Sequence, residues 1–217
     1  MAKKLTTGVF ITFEGPEGCG KSTHSRKLFE ELKKEGYEVI MTVEPGGTNL
    51  GSRIREILLE KEDIHFSGTA ELFLFETDRA QHVREVILPA IEAKKLVICD
   101  RFNTATFAYQ GYGLGVDMKE VQALDQIATG GLEPQLTILL DIDVETGLKR
   151  ANSNRSADRM EKRSLDFHQR VRDGYLKLAK KSRGRICVVD SSDDINSVYD
   201  KVKETVHGFV KRYTRAE

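Results

Sequence analysis

The chain has 217 residues, near the upper limit of what one hydrophobic core supports, which favours one domain spanning 1–217 over two. Hydrophobic residues at 39% and charged residues at 31% leave enough apolar side chains to fill that core and exclude a disordered chain. The 34 Lys and Arg balance the 34 Asp and Glu, so no overall positive field gathers a polyanion, non-specific nucleic-acid binding is not expected, and any anion site must be local.

The predicted elements alternate between strand and helix. An apolar run at Val9–Glu14 leads through a glycine-rich turn into an amphipathic stretch, Lys21–Lys34, with Leu28 and Leu32 four residues apart. A second run at 38–43 precedes helical patterns at 52–61 and 70–93, the latter broken or kinked near Pro89. The third run, Leu96–Asp100, is followed by a helix at Met118–Thr129, and the fourth, Leu136–Asp141, by helices at 144–151 and 162–181. A fifth run, Ile186–Asp190, leads to a helix at 196–211 with Val198, Val202, Val206 and Val210 on one stripe. The strand runs are continuously apolar, as strands buried on both faces of a parallel sheet are. The expected fold is α/β in three layers, a five-stranded parallel sheet flanked by helices.

The three cysteines, Cys19, Cys99 and Cys187, are odd in number and widely spaced, which fits neither a disulfide framework nor a metal-binding spacing. They read as free thiols of a reducing compartment. The apolar stretch after Lys3 and Lys4 is too short for a signal-peptide core, and no run approaches the roughly 20 residues of a membrane span. A cytoplasmic protein without a membrane partner is expected.

In parallel sheets, ligands bind beyond the carboxyl ends of the strands, where this sequence places Glu14, Glu44, Asp100 and Asp141. Acids there are costly unless solvated, paired or used. Directly after the first strand comes Gly15-Pro16-Glu17-Gly18-Cys19-Gly20-Lys21-Ser22, a full match to the phosphate-binding P-loop pattern, with Thr23 next in the helix. Glycines let the backbone turn its N–H groups around phosphate oxygens, and the helix that follows presents its positive end to the same anion. Lys21 then reaches the β- and γ-phosphates of ATP, and the Ser22 hydroxyl is placed to ligate the bridging Mg²⁺. Asp100, an acid closing a buried strand, is a second candidate for holding that metal. Cys19, near a helix N-terminus and Lys21, is a candidate for a lowered thiol pKa.

No Asn-Lys-x-Asp guanine reader occurs in the chain, and several arginines near strand ends suit transfer between two small anions. Glu44-Pro45-Gly46-Gly47-Thr48, Asp100-Arg101-Phe102 and Ala108-Tyr109-Gln110-Gly111, in this order after the P-loop, resemble bacterial thymidylate kinases over nearly the whole chain. The resemblance implies a P-loop kinase fold with a short arginine-rich lid, a homodimer, and transfer of the γ-phosphoryl group of MgATP to dTMP. It implies that Phe75 stacks on the thymine and that Arg79, four residues on and hence on the same helical face, bonds the base edge. It assigns Arg101 and Arg55 to the acceptor phosphate, and Glu17 to the sugar 3′-hydroxyl or a metal-bound water. Tyr109 is placed to crowd the 2′ position, with Thr106 and Gln110 lining base and sugar and Glu44 and Pro45 also among the substrate-binding residues.

Between Lys149 and Arg163 six cations stand against two acids, around the polar stretch 152–156, which reads as an exposed loop. The P-loop carries no arginine of its own, so a lid at about 150–161 must supply one. Arg155 and Arg159 are the first candidates and Arg150 the reserve, with Arg150 otherwise an ATP-binding residue. One departure from bacterial relatives is Val43, where arginine commonly precedes the Glu-Pro-Gly-Gly turn. Two alternatives remain open at this level: a kinase for another monophosphate such as dUMP or CMP, or a regulatory module that binds ATP without catalysis.

Overall fold

The computed structural model describes residues 3–59, 64–153 and 158–214. Strands β1 (Val9–Glu14), β2 (Val39–Val43), β3 (Leu96–Asp100), β4 (Leu136–Asp141) and β5 (Ile186–Asp190) form one all-parallel sheet in the order β2-β3-β1-β4-β5. Val9 stands beside Leu96, and Ile11 beside both Ile98 and Leu136, so β1 lies at the centre. Every residue of β1 and β3 is buried, as the apolar runs predict. The edge strands β2 and β5 differ and are largely half-buried, because an edge strand is covered from one side only.

Alternate residues of β1 enter opposite layers. Val9, Ile11 and Phe13 pack with Leu28 and Leu32 of α1 (Lys21–Lys34) and with the valine stripe of a C-terminal helix, Ile195–Val210. Phe10 faces the other layer, where Val83, Ile87 and Ala90 cover the sheet. The long predicted helix at 70–93 starts at Gly68 and contains one wide turn: α3 (Gly68–His82) passes through Val83–Ile87 into α4 (Leu88–Glu92). There the Leu88 N–H reaches back five residues to the Val83 carbonyl. Pro89 has no N–H to donate and its ring crowds the carbonyl four residues earlier, which the wider turn accommodates.

The remaining helices are α2 (Asn49–Leu59), α5 (Asn103–Thr106), α6 (Met118–Thr129), α7 (Val144–Asn152), α8 (Leu165–Lys181) and α9 (Ile195–Val210). Helix α5 continues as a wide-turn segment, Phe107–Gly113, which the sequence pattern does not predict. Its glycines allow close helix contacts. A Cβ at Gly113 would lie 2.7 Å from the Phe167 ring of α8, and one at Gly174 of α8 would lie 2.7 Å from Tyr112. This packing holds Tyr109 and Gln110 at the carboxyl edge of the sheet, over a third cluster that includes Tyr109, Phe167, Val171 and Tyr175.

Candidate active site

A cleft of about 480 Å³ opens at the carboxyl edge of β1 and β3, lined on one side by Glu17, Gly18, Gly20, Lys21, Ser22 and Thr23. The P-loop geometry depends on its glycines: a Cβ at Gly18, where φ is +67°, would stand 1.9 Å from the Gly147 carbonyl oxygen. Gly20, at φ +91°, begins α1 without a side-chain cap, so that end of the helix is open to an anion. The Lys21 ammonium folds over the loop and donates to the carbonyls of Gly15 at 3.0 Å and Pro16 at 2.7 Å. Ser22 Oγ donates to the Asp100 carboxylate, which brings the two metal candidates together. Gly15, Pro16 and Cys19 are buried beneath this surface. The lowered thiol pKa expected for Cys19 is not found: burial pushes it up, and Lys21 and Arg101 only partly oppose that.

The opposite wall holds the expected acceptor residues. Arg101 lies at φ +70°, a left-handed conformation that is rare and strained for a residue with a side chain. Its guanidinium donates to Glu17 at 2.9 Å and lies 5.0 Å from the Tyr109 ring centre. Tyr109 Oη donates to the same carboxylate at 2.6 Å. Burial alone would raise the pKa of Glu17, but Arg101, Lys21 and the Tyr109 hydroxyl hold it down at about 2. Arg55 lines the cleft and donates to the Pro45 carbonyl at 2.7 Å.

Phe75, Thr106 and Gln110 line the same cleft. Phe75 is half-buried and belongs to none of the three core clusters, whereas its neighbour Leu72 is fully buried. Arg79 lines the cleft from within a buried ion cluster, donating to Glu44 at 3.0 Å and Glu76 at 2.6 Å. Thus Glu44 and Pro45 also reach the cleft wall, with Glu44 bound from behind by Arg79 and His82.

The lid segment divides. Arg150, on α7, lines the cleft and donates to the carbonyls of Ser191 and Ser192. Arg155 lies outside the described residues. The stretch 152–156 expected as an exposed loop lies largely outside the described residues, and beyond it residues 158–161 form a turn: the Asp158 carboxylate accepts the N–H groups of Met160 and Glu161, and Met160 is buried in the third cluster. Arg159 is not brought to the cleft. It donates to the Leu58 carbonyl at 2.8 Å, pairs with Glu71 at 2.7 Å and lies over the Phe66 ring.

The family model described as thymidylate kinase matches residues 13–202. The chain belongs to the thymidylate kinase family. It is 47% identical over 208 residues to a thymidylate kinase of Geotalea daltonii, covering 93% of this chain and 97% of that protein. A thymidylate kinase of Desulfovibrio desulfuricans is 46% identical over 214 residues, covering 95% of this chain and 99% of the relative. The crystal structure of thymidylate kinase from Ehrlichia chaffeensis superposes with a TM-score of 0.75 at 33% identity, over 93% of this chain and 99% of that one. The expected α/β fold is shared with this family neighbour, and no described helix is long and apolar enough to cross a membrane.

Behind this family cleft lies a polar shell in which the strand-end acids Glu14, Glu44 and Asp141 find partners that sequence reasoning did not supply. Glu14 is fully buried, accepting the Phe102 N–H and the Tyr175 hydroxyl, and burial pushes its carboxyl up to about 7 despite Arg101. Asp141 is paired twice by Arg172. His82 bridges Glu44 and Thr42. Glu76, Asp78 and Asp125 crowd around Arg79, and each keeps a buried oxygen without a hydrogen-bond partner among the described residues. Helical spacing shows which residues share a face, but not that the face turns toward other acids, so no local signal marks Asp125 or Tyr175.

Proposed function

We propose that this chain transfers the γ-phosphoryl group of ATP to dTMP, giving ADP and dTDP. The observation that carries the reading is one cleft with a P-loop on one wall and Arg101, Arg55, Phe75 and Arg79 on the other. In this reading the P-loop N–H groups and Lys21 hold the donor phosphates, with Arg150 at the donor's other end. Arg101 aims the acceptor, sharing its charge between Glu17 and the dTMP phosphate, while Arg55 adds a second cation. Phe75 offers a face for an uncharged base and Arg79 a planar donor, with Thr106, Tyr109 and Gln110 around base and sugar. A phosphate oxygen of dTMP attacks the γ-phosphorus, the bond to the β-bridging oxygen breaks, and ADP leaves. No protein nucleophile is needed, because the acceptor phosphate is itself nucleophilic.

The Ser22 hydroxyl and Asp100 carboxylate are hard oxygen donors in contact with one another, a set that fits Mg²⁺ together with its waters. Bound there, the ion would neutralise charge shared between the β- and γ-phosphates. Of the lid cations, Arg155 is the one proposed to serve the transferring group. We further take the chain as one domain, cytoplasmic and homodimeric, with ATP and dTMP as its small-molecule partners.

The test is ADP release from MgATP with dTMP, dUMP, CMP, AMP and GMP offered separately, beside an Arg101→Ala control. A strong preference for dTMP that collapses in the variant is expected. Preference for another monophosphate would overturn the acceptor assignment. ATP binding without acceptor-dependent ADP release would leave a regulatory module.

A further inference from the structure

Glu71, on α3, is fully buried and does not line the cleft, yet it holds three groups at once. Its Oε1 accepts the Gln110 side-chain amide at 2.9 Å. Its Oε2 accepts Arg163 at 2.8 Å and forms an ion pair with Arg159 at 2.7 Å, the two arginines on either side of the buried turn at residues 159–163. Each of the donors has a further fixed contact. Arg159 donates to the Leu58 carbonyl at the end of α2. Arg163 lies 4.8 Å from the Phe167 ring centre, and Gln110 sits in the segment packed against α8.

We infer that Glu71 is a positioning residue that ties the inner end of the lid to the nucleoside wall, and that Arg159 acts as the anchor of the lid and not as a phosphate clamp. Two consequences follow from the chemistry of the contacts. Because one N–H of the Gln110 amide is held by Glu71, the orientation of the amide is fixed, and its carbonyl oxygen and remaining N–H are the groups left for the base or sugar. Because Arg159 donates its Nε to Leu58 and pairs one terminal nitrogen with Glu71, moving it to a phosphate would leave a fully buried carboxylate with one cation, Arg163, in place of two. One carboxylate thus fixes both the nucleoside wall at Gln110 and the turn at residues 159–163.

The inference rests on the kinase reading, and the test separates the two. Glu71→Gln keeps size but turns one acceptor into a donor facing donors. It should raise the dTMP KM through Gln110 and lower kcat through Arg159, each about three- to tenfold. Arg159→Met should lower kcat with little change in dTMP KM, and the double variant should be no worse in kcat than the worse single one. Gln110→Ala combined with Glu71→Gln should likewise show no additional rise in KM. Limited trypsin digestion of the lid gives a readout free of catalysis: Glu71→Gln and Arg159→Met should each speed cleavage, and together no more than either alone. Arg159→Lys, which keeps the charge but has one nitrogen in place of the two that reach Leu58 and Glu71, serves where Glu71→Gln fails to fold, with a lower kcat and little change in dTMP KM expected.

Kinetic effects of Glu71→Gln and Arg159→Met that multiply independently would make Arg159 a direct phosphate ligand and overturn the inference. So would a Glu71→Gln enzyme with unchanged constants and unchanged digestion. If the wild type released no ADP with dTMP, the kinase reading would fall, and the digestion series alone would still decide whether Glu71 anchors the lid.

Discussion

Arg101 and Tyr109 donate to the same oxygen of Glu17, at 2.9 and 2.6 Å, while the guanidinium of one lies over the ring of the other. Three side chains from the P-loop, the end of β3 and the wide-turn segment therefore behave as one unit. Hydrogen bonds to a charged group are worth about 1.5–3 kcal/mol where buried. Tyr109→Phe keeps the ring and removes the donor, so it should cost about ten- to a hundredfold in kcat/KM for dTMP with little change in ATP KM. A variant with unchanged kcat/KM would show that the hydroxyl does not hold Arg101 in its strained geometry.

Lys21 should matter chiefly for kcat. Removing a preorganised charge from a site of charge development costs about a hundred- to a thousandfold, so Lys21→Ala should show this loss in single-turnover ADP formation while the protein still unfolds cooperatively. Ser22→Ala and Asp100→Asn remove two partners of one contact, and their combined effect on activity should be smaller than the product of the single effects. Independent, multiplying losses would separate their roles.

The carboxyl of Glu76 is pushed up to about 7 by burial, opposed by Arg79 and reinforced by Asp125 and Glu44. In the unfolded chain it ionises near its ordinary value of 4.5. Between these two values the folded protein keeps a proton that the unfolded chain has shed, so this contribution to stability is full at low pH and lost as pH rises through 7. Asp78, at about 7, and Asp125, at about 6, act in the same sense. His24 and His168, lowered by burial, act in the opposite one. The decisive quantity is therefore the difference between variant and wild type: Glu76→Gln should flatten the fall in Tm between about pH 5 and pH 7.5. Parallel profiles would sink this account.

Cys19 should be an inert thiol. Its burial and raised pKa predict slow reaction with a disulfide reagent at pH 8, with no protection added by ATP, until the protein unfolds. A fast phase mapped to Cys19 in the native enzyme would contradict the buried position.

The contact between the Phe107–Gly113 segment and α8 should be intolerant of side chains. Gly113→Ala places a methyl group 2.7 Å from the Phe167 ring and 2.8 Å from Val171. Overpacking of this kind costs about 1–3 kcal/mol, which chemical denaturation would register as a lower midpoint. Because Tyr109 and Gln110 ride on the same segment, dTMP KM should rise alongside. A neutral substitution would mean that α8 shifts freely and does not position the nucleoside wall.

What the sequence determined by itself was local. A P-loop is a continuous string whose glycines, lysine and serine work through backbone geometry, so Gly15 to Ser22 could be read directly, as could the central strands, whose burial on both faces leaves uninterrupted apolar runs. That Phe75 and Arg79 share one helical face was also legible from their spacing, while their pairing at a base-binding site came from the family resemblance. Tertiary structure alone decided what depends on the other side of a contact. Glu71 and Asp125 look like ordinary acids on amphipathic helices, and only packing turns them inward toward arginines. Arg159 reads as a lid cation until its partners, Leu58 and Glu71, appear 101 and 88 residues away in the chain. Gly111 and Gly113 carry no local sign of the close contacts they make, Gly111 with Met118 of α6 and Gly113 with Phe167 of α8. Charge and polarity state what a side chain can do, and the partner that burial brings to it determines which of those things it does.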